Sequence, residues 1–94
     1  MSTVALYRRE KIESLMQELL SEQIAKTIER EGTLITILGV HVDEDFEHAD
    51  IAVSVFPDKE EKETIKYLNT KAGALAFELL KKMRIKKVPF LVFK

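Results

Sequence analysis

Five basic side chains, Lys81, Lys82, Arg84, Lys86 and Lys87, crowd into seven positions near the end of the chain. Ammonium and guanidinium groups hold phosphate by charge, which gives affinity for a polyanion without reading its sequence. Cations in the last turn of a helix also complement its dipole, at about 0.3–1 kcal/mol each. That term accounts for one or two of the five and leaves the rest for a partner. Lys71 stands before Ala72-Gly73, where the start of a helix would turn backbone N–H groups towards a phosphate. Arg8, Arg9 and Lys11 extend the set from the N-terminal segment. Tyr7 and Tyr67 are the candidates for stacking on bases, and the five Phe are assigned to the core.

Other chemistries have less support. The chain has no Cys, hence no disulfide framework, thiolate metal site or thiol nucleophile. Ser2, Ser14, Ser21 and Ser54 lie in no Gly-x-Ser-x-Gly setting, and Gly32, Gly39 and Gly73 are too far apart to form a phosphate loop. His41, Asp43, Asp45, Glu47 and His48 form the one cluster of metal-ligand types. It lacks the sixth-position glycine and twelfth-position glutamate of a calcium loop, and it matches no zinc spacing. A solvated turn rich in Asp explains it better than a metal-dependent hydrolase at His41, Asp45 and His48. No metal, cofactor or small-molecule substrate is expected.

Charge is strongly polarised along the sequence. The net formal charge of the 94 residues is -1, yet residues 43–63 carry nine acidic and two basic groups, and residues 64–94 carry eight basic groups and one acidic group, Glu78. A near-neutral protein of this kind can still present a basic face to nucleic acid. It can equally present the acidic 43–63 segment to a basic protein, as an adaptor would, and the two blocks can also attract each other within the fold. Hydrophobic residues at 46% exclude a disordered chain, and the length suits one domain over residues 1–94. The apolar runs are too short to span a membrane, and the N-terminus has no signal-peptide pattern, so a cytoplasmic protein is expected.

The elements that must position these residues follow from periodicity. Ile12, Leu15, Met16, Leu19, Leu20, Ile24 and Ile28 keep helical spacing, which predicts a helix over 6–31 capped by Gly32. Residues 33–42 are β-branched and apolar, and residues 51–56 alternate at period two, which predicts an antiparallel pair joined by a connector over 43–50. Gly39 predicts a bulge in the first strand. Pro57 ends the second strand, and Asp58 with Glu61 has capping-box spacing for the next helix. Ile65, Leu68, Ala72, Leu75, Leu79, Leu80 and Met83 continue a helical stripe that the weak helix formers of 69–73 interrupt, which predicts a kink or two helices. Residues 88–93 read as a short strand with Pro89 near its start, suited to a sheet edge. The order α-β-β-α-α-β predicts an α+β two-layer sandwich with a three-stranded sheet.

The chain resembles the ribosome-binding factor A family. The opening Tyr7-Arg8-Arg9-Glu10-Lys11-Ile12 is similar to that family's start, and Gly39 through Val55 is similar to its strand, Ser/Asp-containing turn and Ala-x-Val-x-Val-Ser strand. Gly73 through Lys82, followed by Met83-Arg84-Ile85-Lys86-Lys87-Val88-Pro89-Phe90-Leu91-Val92-Phe93, resembles its ending. The resemblance implies a type II KH-like fold whose kinked helix pair carries an Ala-x-Gly break in place of the Gly-x-x-Gly loop of ordinary KH domains. Here that break is Lys71-Ala72-Gly73, with lysine for the first alanine, and Ala76 stands where the family commonly has a basic residue. It also implies a non-enzymatic factor that binds the small ribosomal subunit and its rRNA late in maturation, supporting rRNA end processing and growth in the cold; nothing in the sequence asks for a dimer, so a monomer is expected. Arg8, Arg9, Lys71, Gly73, Lys81, Lys82, Arg84, Lys86 and Lys87 are then the expected RNA-binding residues.

Overall fold

The computed structural model describes residues 3–28 and 32–94, with side chains from Arg8 onward. Helix α1 (Thr3–Thr27) is followed by β1 (Leu34–Val42), β2 (His48–Phe56), a 3-10 turn (Asp58–Glu60), α2 (Glu61–Thr70), α3 (Ala72–Met83) and β3 (Phe90–Phe93). The sheet order is β1-β2-β3, with β1 antiparallel and β3 parallel to the central β2. This is the α+β, α-β-β-α-α-β architecture that the periodicity predicts.

The helices cover one face of the sheet. Met16, Leu20 and Ile24 of α1 and Leu68, Ala72, Leu75 and Leu79 of α2 and α3 bury against Ile37, Val42, Ala49, Ile51, Val53, Leu91 and Phe93. The period-two pattern of β2 sends Ala49, Ile51, Val53 and Val55 inward and leaves His48, Ala52, Ser54 and Phe56 on the open face. Two hydrogen bonds fasten α1 to β1: Gln17 Nε2 donates to the Ile37 carbonyl (3.3 Å), and the Val42 N–H donates to Glu13 Oε2 (2.7 Å). The second satisfies a backbone donor on the unpaired edge of β1. Among the described residues no helix is long and apolar enough to cross a membrane.

Several boundaries differ from the sequence reading. α1 ends at Thr27 rather than at 31, and Thr27 Oγ1 donates to the Gln23 carbonyl at 2.7 Å, taking an acceptor in the last turn. Gly32 does adopt a left-handed φ of 81°, but residues 29–31 lie outside the described residues. β2 begins at His48 rather than at 51. Asp43 Oδ1 accepts the Glu47 N–H (2.8 Å) and the His48 N–H (3.3 Å), so the turn closes within residues 43–47 and His48 can already pair. Asp58 does not cap a helix. The Glu60 N–H bonds the Pro57 carbonyl (3.0 Å) to make the 3-10 turn, and α2 starts at Glu61 with no side-chain cap. The bulge falls where Gly39 predicts it: Ile37 pairs with Val53 and Gly39 with Ala52, leaving Leu38 extra and exposed.

Candidate nucleic-acid interface

The chain breaks between α2 and α3 at Lys71, whose φ of −97° and ψ of 0° leave the helical basin. Its N–H closes α2 on the Leu68 (3.0 Å) and Tyr67 (3.3 Å) carbonyls, and its own carbonyl accepts the Leu75 N–H (3.0 Å) to open α3. Thr70 Oγ1 takes the Tyr67 carbonyl as well (2.6 Å). The break therefore sits on the lysine, and Gly73 lies inside the first turn of α3. Gly73 is exposed, its φ is not left-handed, and a Cβ built there would meet nothing within 4 Å. Nothing within the described chain requires glycine at this position.

Helical spacing then sorts the cations. Ala72, Leu75 and Leu79 form the buried side of α3. Gly73, Phe77 and Lys81 follow one another at four-residue intervals on the exposed side. Lys82 follows Glu78 by four residues and is exposed. Arg84 ends α3 in the left-handed conformation, φ 54° and ψ 40°. Lys86 and Lys87 occupy the exposed segment that leads to β3. Lys87 and Gly73 share a shallow groove with Ala76, Phe90 and Glu47. Lys71, the N-cap of α3, stands about 15 Å of helix from Lys81.

Lys81 thus lies in the last turn of α3 and Arg84 at its C-cap, whereas Lys87 lines a groove with Ala72 and Gly73 at the start of the helix, two residues from Lys71. Arg8 and Arg9 lie one turn or more before Glu13, the residue that anchors α1 beside Val42, near the 43–47 turn. The α3–β3 segment arrives at that same end of the sheet, where the Phe90 N–H donates to the Glu47 carbonyl at 2.8 Å. Arg8 is exposed and Arg9 half-buried. Among the described residues Lys82, Arg84, Lys86 and Lys87 make no ion pair. Lys81 pairs with Glu78 on its own helix at 3.6 Å, a solvent-exposed contact worth well under 1 kcal/mol. Lys94 pairs with Asp50 at 3.1 Å.

The acidic 43–63 block is not one surface. β2 runs through it and places Asp43, Glu44, Asp45 and Glu47 at one end of the strand and Asp58, Glu60, Glu61 and Glu63 at the other, roughly 25 Å away. A metal centre at His41, Asp45 and His48 is not assembled either. His41 Nδ1 faces Glu13 Oε2 (3.7 Å), while His48 Nδ1 faces Asp43 Oδ2 (3.3 Å), and no group of three or more potential ligands converges among the described residues. Desolvation works to raise the pKa of Asp43, but the Glu47 and His48 N–H groups and the His48 ring outweigh it and hold the carboxyl below its ordinary value.

The sequence reading missed the exposed aromatics. Phe56, Phe77 and Phe90 are 68%, 57% and 67% exposed, and of the five Phe only Phe93 is fully in the core. Tyr67 is exposed as expected of a stacking residue, whereas the Tyr7 side chain lies outside the described residues. A signal for Phe77 was present: it sits four residues from both Gly73 and Lys81, on the side of the helix away from Leu75 and Leu79.

A family model described as Ribosome-binding factor A matches residues 8–94. The chain belongs to the ribosome-binding factor A family. Ribosome-binding factor A of Geotalea daltonii is 38% identical over 90 residues, covering 93% of this chain and 72% of the relative. The fold is likewise that of solved family members and is KH-like. The crystal structure of ribosome-binding factor A from Thermus thermophilus superposes with a TM-score of 0.82 at 21% identity, over 92% of this chain and 93% of that one. A second Thermus thermophilus structure, a homology model fitted into the electron-microscopy map of a complex between the 30S subunit and that factor, gives 0.77 at 23% identity, over 88% and 89% of the chains. In this family member, Lys71-Ala72-Gly73 is therefore the junction of the KH-like helix pair.

Proposed function

We propose that this chain is an assembly factor that binds the 30S subunit through 16S rRNA late in maturation and supports processing of the rRNA ends. Family membership over residues 8–94 supports the reading, as does the Thermus relative fitted in a complex with the 30S subunit. The observation that carries it to particular residues is the set of exposed cations, Lys82, Arg84, Lys86 and Lys87, left without carboxylate partners among the described residues. Together with Lys81, Lys71, Arg8 and Arg9 they contact phosphates, and the side-chain-free surface at Gly73 lets an RNA backbone approach the start of α3. The factor works in the cytoplasm as a monomer, by occupancy rather than turnover. It stabilises one rRNA arrangement, needs no cofactor, and leaves when the subunit is complete.

Sedimentation of cell extract tests the partner: the protein should travel with free small subunits and not with assembled ribosomes. Titration of purified small subunits at several salt concentrations tests the face. The logarithm of the affinity should fall linearly with the logarithm of salt concentration, and each phosphate contact removed should flatten the slope by about 0.7–0.9. A Lys81→Glu, Lys82→Glu double variant that binds as tightly as the parent refutes this surface. The adaptor reading is disfavoured because its acidic block is divided between two ends of β2.

A further inference from the structure

A groove of about 420 Å³ opens between the end of α1 and the α2–α3 junction. Tyr67 and Phe77 both line it, with Lys71 between them in sequence and Gln23 and Glu78 among the polar lining residues. Each ring carries a lysine from its own neighbourhood: Lys71 Nζ lies 5.6 Å from the Tyr67 centroid and Lys81 Nζ 4.5 Å from the Phe77 centroid. Phe77 remains 57% exposed and Tyr67 38% exposed.

We infer that this groove takes one unstacked nucleotide of single-stranded RNA, with its base stacked on Phe77 and Tyr67 and its phosphate held by Lys71. The inference rests on the RNA-binding reading and gives it a further site. Aromatic rings beside cations are the combination that single-strand binders use, because every base has a face to stack and every nucleotide a phosphate to pair. An exposed lysine–ring contact is weaker than base stacking, so an arriving base displaces the ammonium group towards the phosphate. Glu78 sets the polarity. Its carboxylate, 3.6 Å from Lys81, repels phosphate and leaves that corner of the groove to the base edge, where it and Gln23 can accept hydrogen bonds from an exocyclic amine. A duplex cannot use such a site, since its bases are already stacked and paired.

The chain contains no tryptophan, so Phe77→Trp places a single indole reporter at an exposed position without removing the aromatic face. A ten-nucleotide single-stranded RNA should quench its emission, and the same sequence as a perfect duplex should not. Phe77→Ala should weaken binding of the single strand about tenfold and leave duplex binding within twofold of the parent. Circular dichroism of each variant confirms that the fold is kept. Single-strand binding with neither quenching nor loss in Phe77→Ala overturns the nucleotide site and leaves the small-subunit reading standing. Quenching by RNA-free small-subunit proteins but not by the oligonucleotide assigns the groove to a protein and overturns it too. A parent that binds neither oligonucleotide at low salt also overturns it, while co-sedimentation with small subunits separately decides the RNA reading.

Discussion

Asn69 holds Phe93 with both ends of its side-chain amide: Nδ2 donates to the Phe93 carbonyl at 3.0 Å, and Oδ1 accepts the Phe93 N–H at 2.8 Å. Lys94 turns its backbone to β2, donating to Ile51 and accepting from Val53, so the groups of Phe93 face the other way, along the free edge of β3. One side chain of α2 thus does for β3 what a fourth strand would do. Asn69→Ala leaves both groups of Phe93 without their partner and should lower stability by about 1–2 kcal/mol, read as a reduced urea midpoint at unchanged slope.

The two leucines at 15 and 20 separate the apolar stripe of α1 from its core. Leu20 is fully buried, whereas Leu15 is 41% exposed. Leu20→Ala should cost about 2–5 kcal/mol through lost burial and the cavity left behind, and Leu15→Ala should cost less than about 1 kcal/mol. Thermal unfolding of the two variants side by side checks the difference.

Arg84 separates stability from binding. A non-glycine residue at φ 54° carries a steric cost that glycine does not. Arg84→Gly should therefore stabilise the fold by roughly 0.5–1 kcal/mol while weakening attachment to small subunits and flattening its salt dependence. Unfolding and titration on the same preparation give the two results independently, and a variant that gains stability with undiminished affinity removes Arg84 from the interface.

Acid should loosen the 43–47 turn. The folded-state pKa of Asp43 lies below its ordinary value, so its contribution to stability is present above the unfolded-state pKa and disappears as the pH falls through the folded-state value. The Glu47 and His48 amides lose their charged acceptor in that range. Asp43→Asn should reduce the loss of stability with acid at the low-pH end while leaving its course above the carboxylate range little changed. Urea midpoints collected across the acid range show whether the two curves converge.

Much of this protein was legible from spacing alone. A period of 3.6 marked the helices, a period of two marked β2, and Gly39 marked the bulge, because each of these patterns reports which side of a single element avoids water. Kinship with ribosome-binding factor A was legible in the order of Gly39 to Val55 and Gly73 to Phe93, since motif order survives within a linear chain. The parallel pairing of β3 was not legible, because it depends on the path of α2 and α3 across the sheet. The division of the acidic block was not legible either, because neighbours in sequence become distant when an extended strand runs between them. Asn69 read only as a weak helix former, while its role is to bond a strand 24 positions away. Phe56, Phe77 and Phe90 read as core by residue type, yet they lie on surfaces that only the packed helices and the one-sided sheet define. Periodicity determined what each element would bury. The tertiary structure decided which remaining groups would meet in water, because distance between charges and rings is set by packing and not by position along the chain.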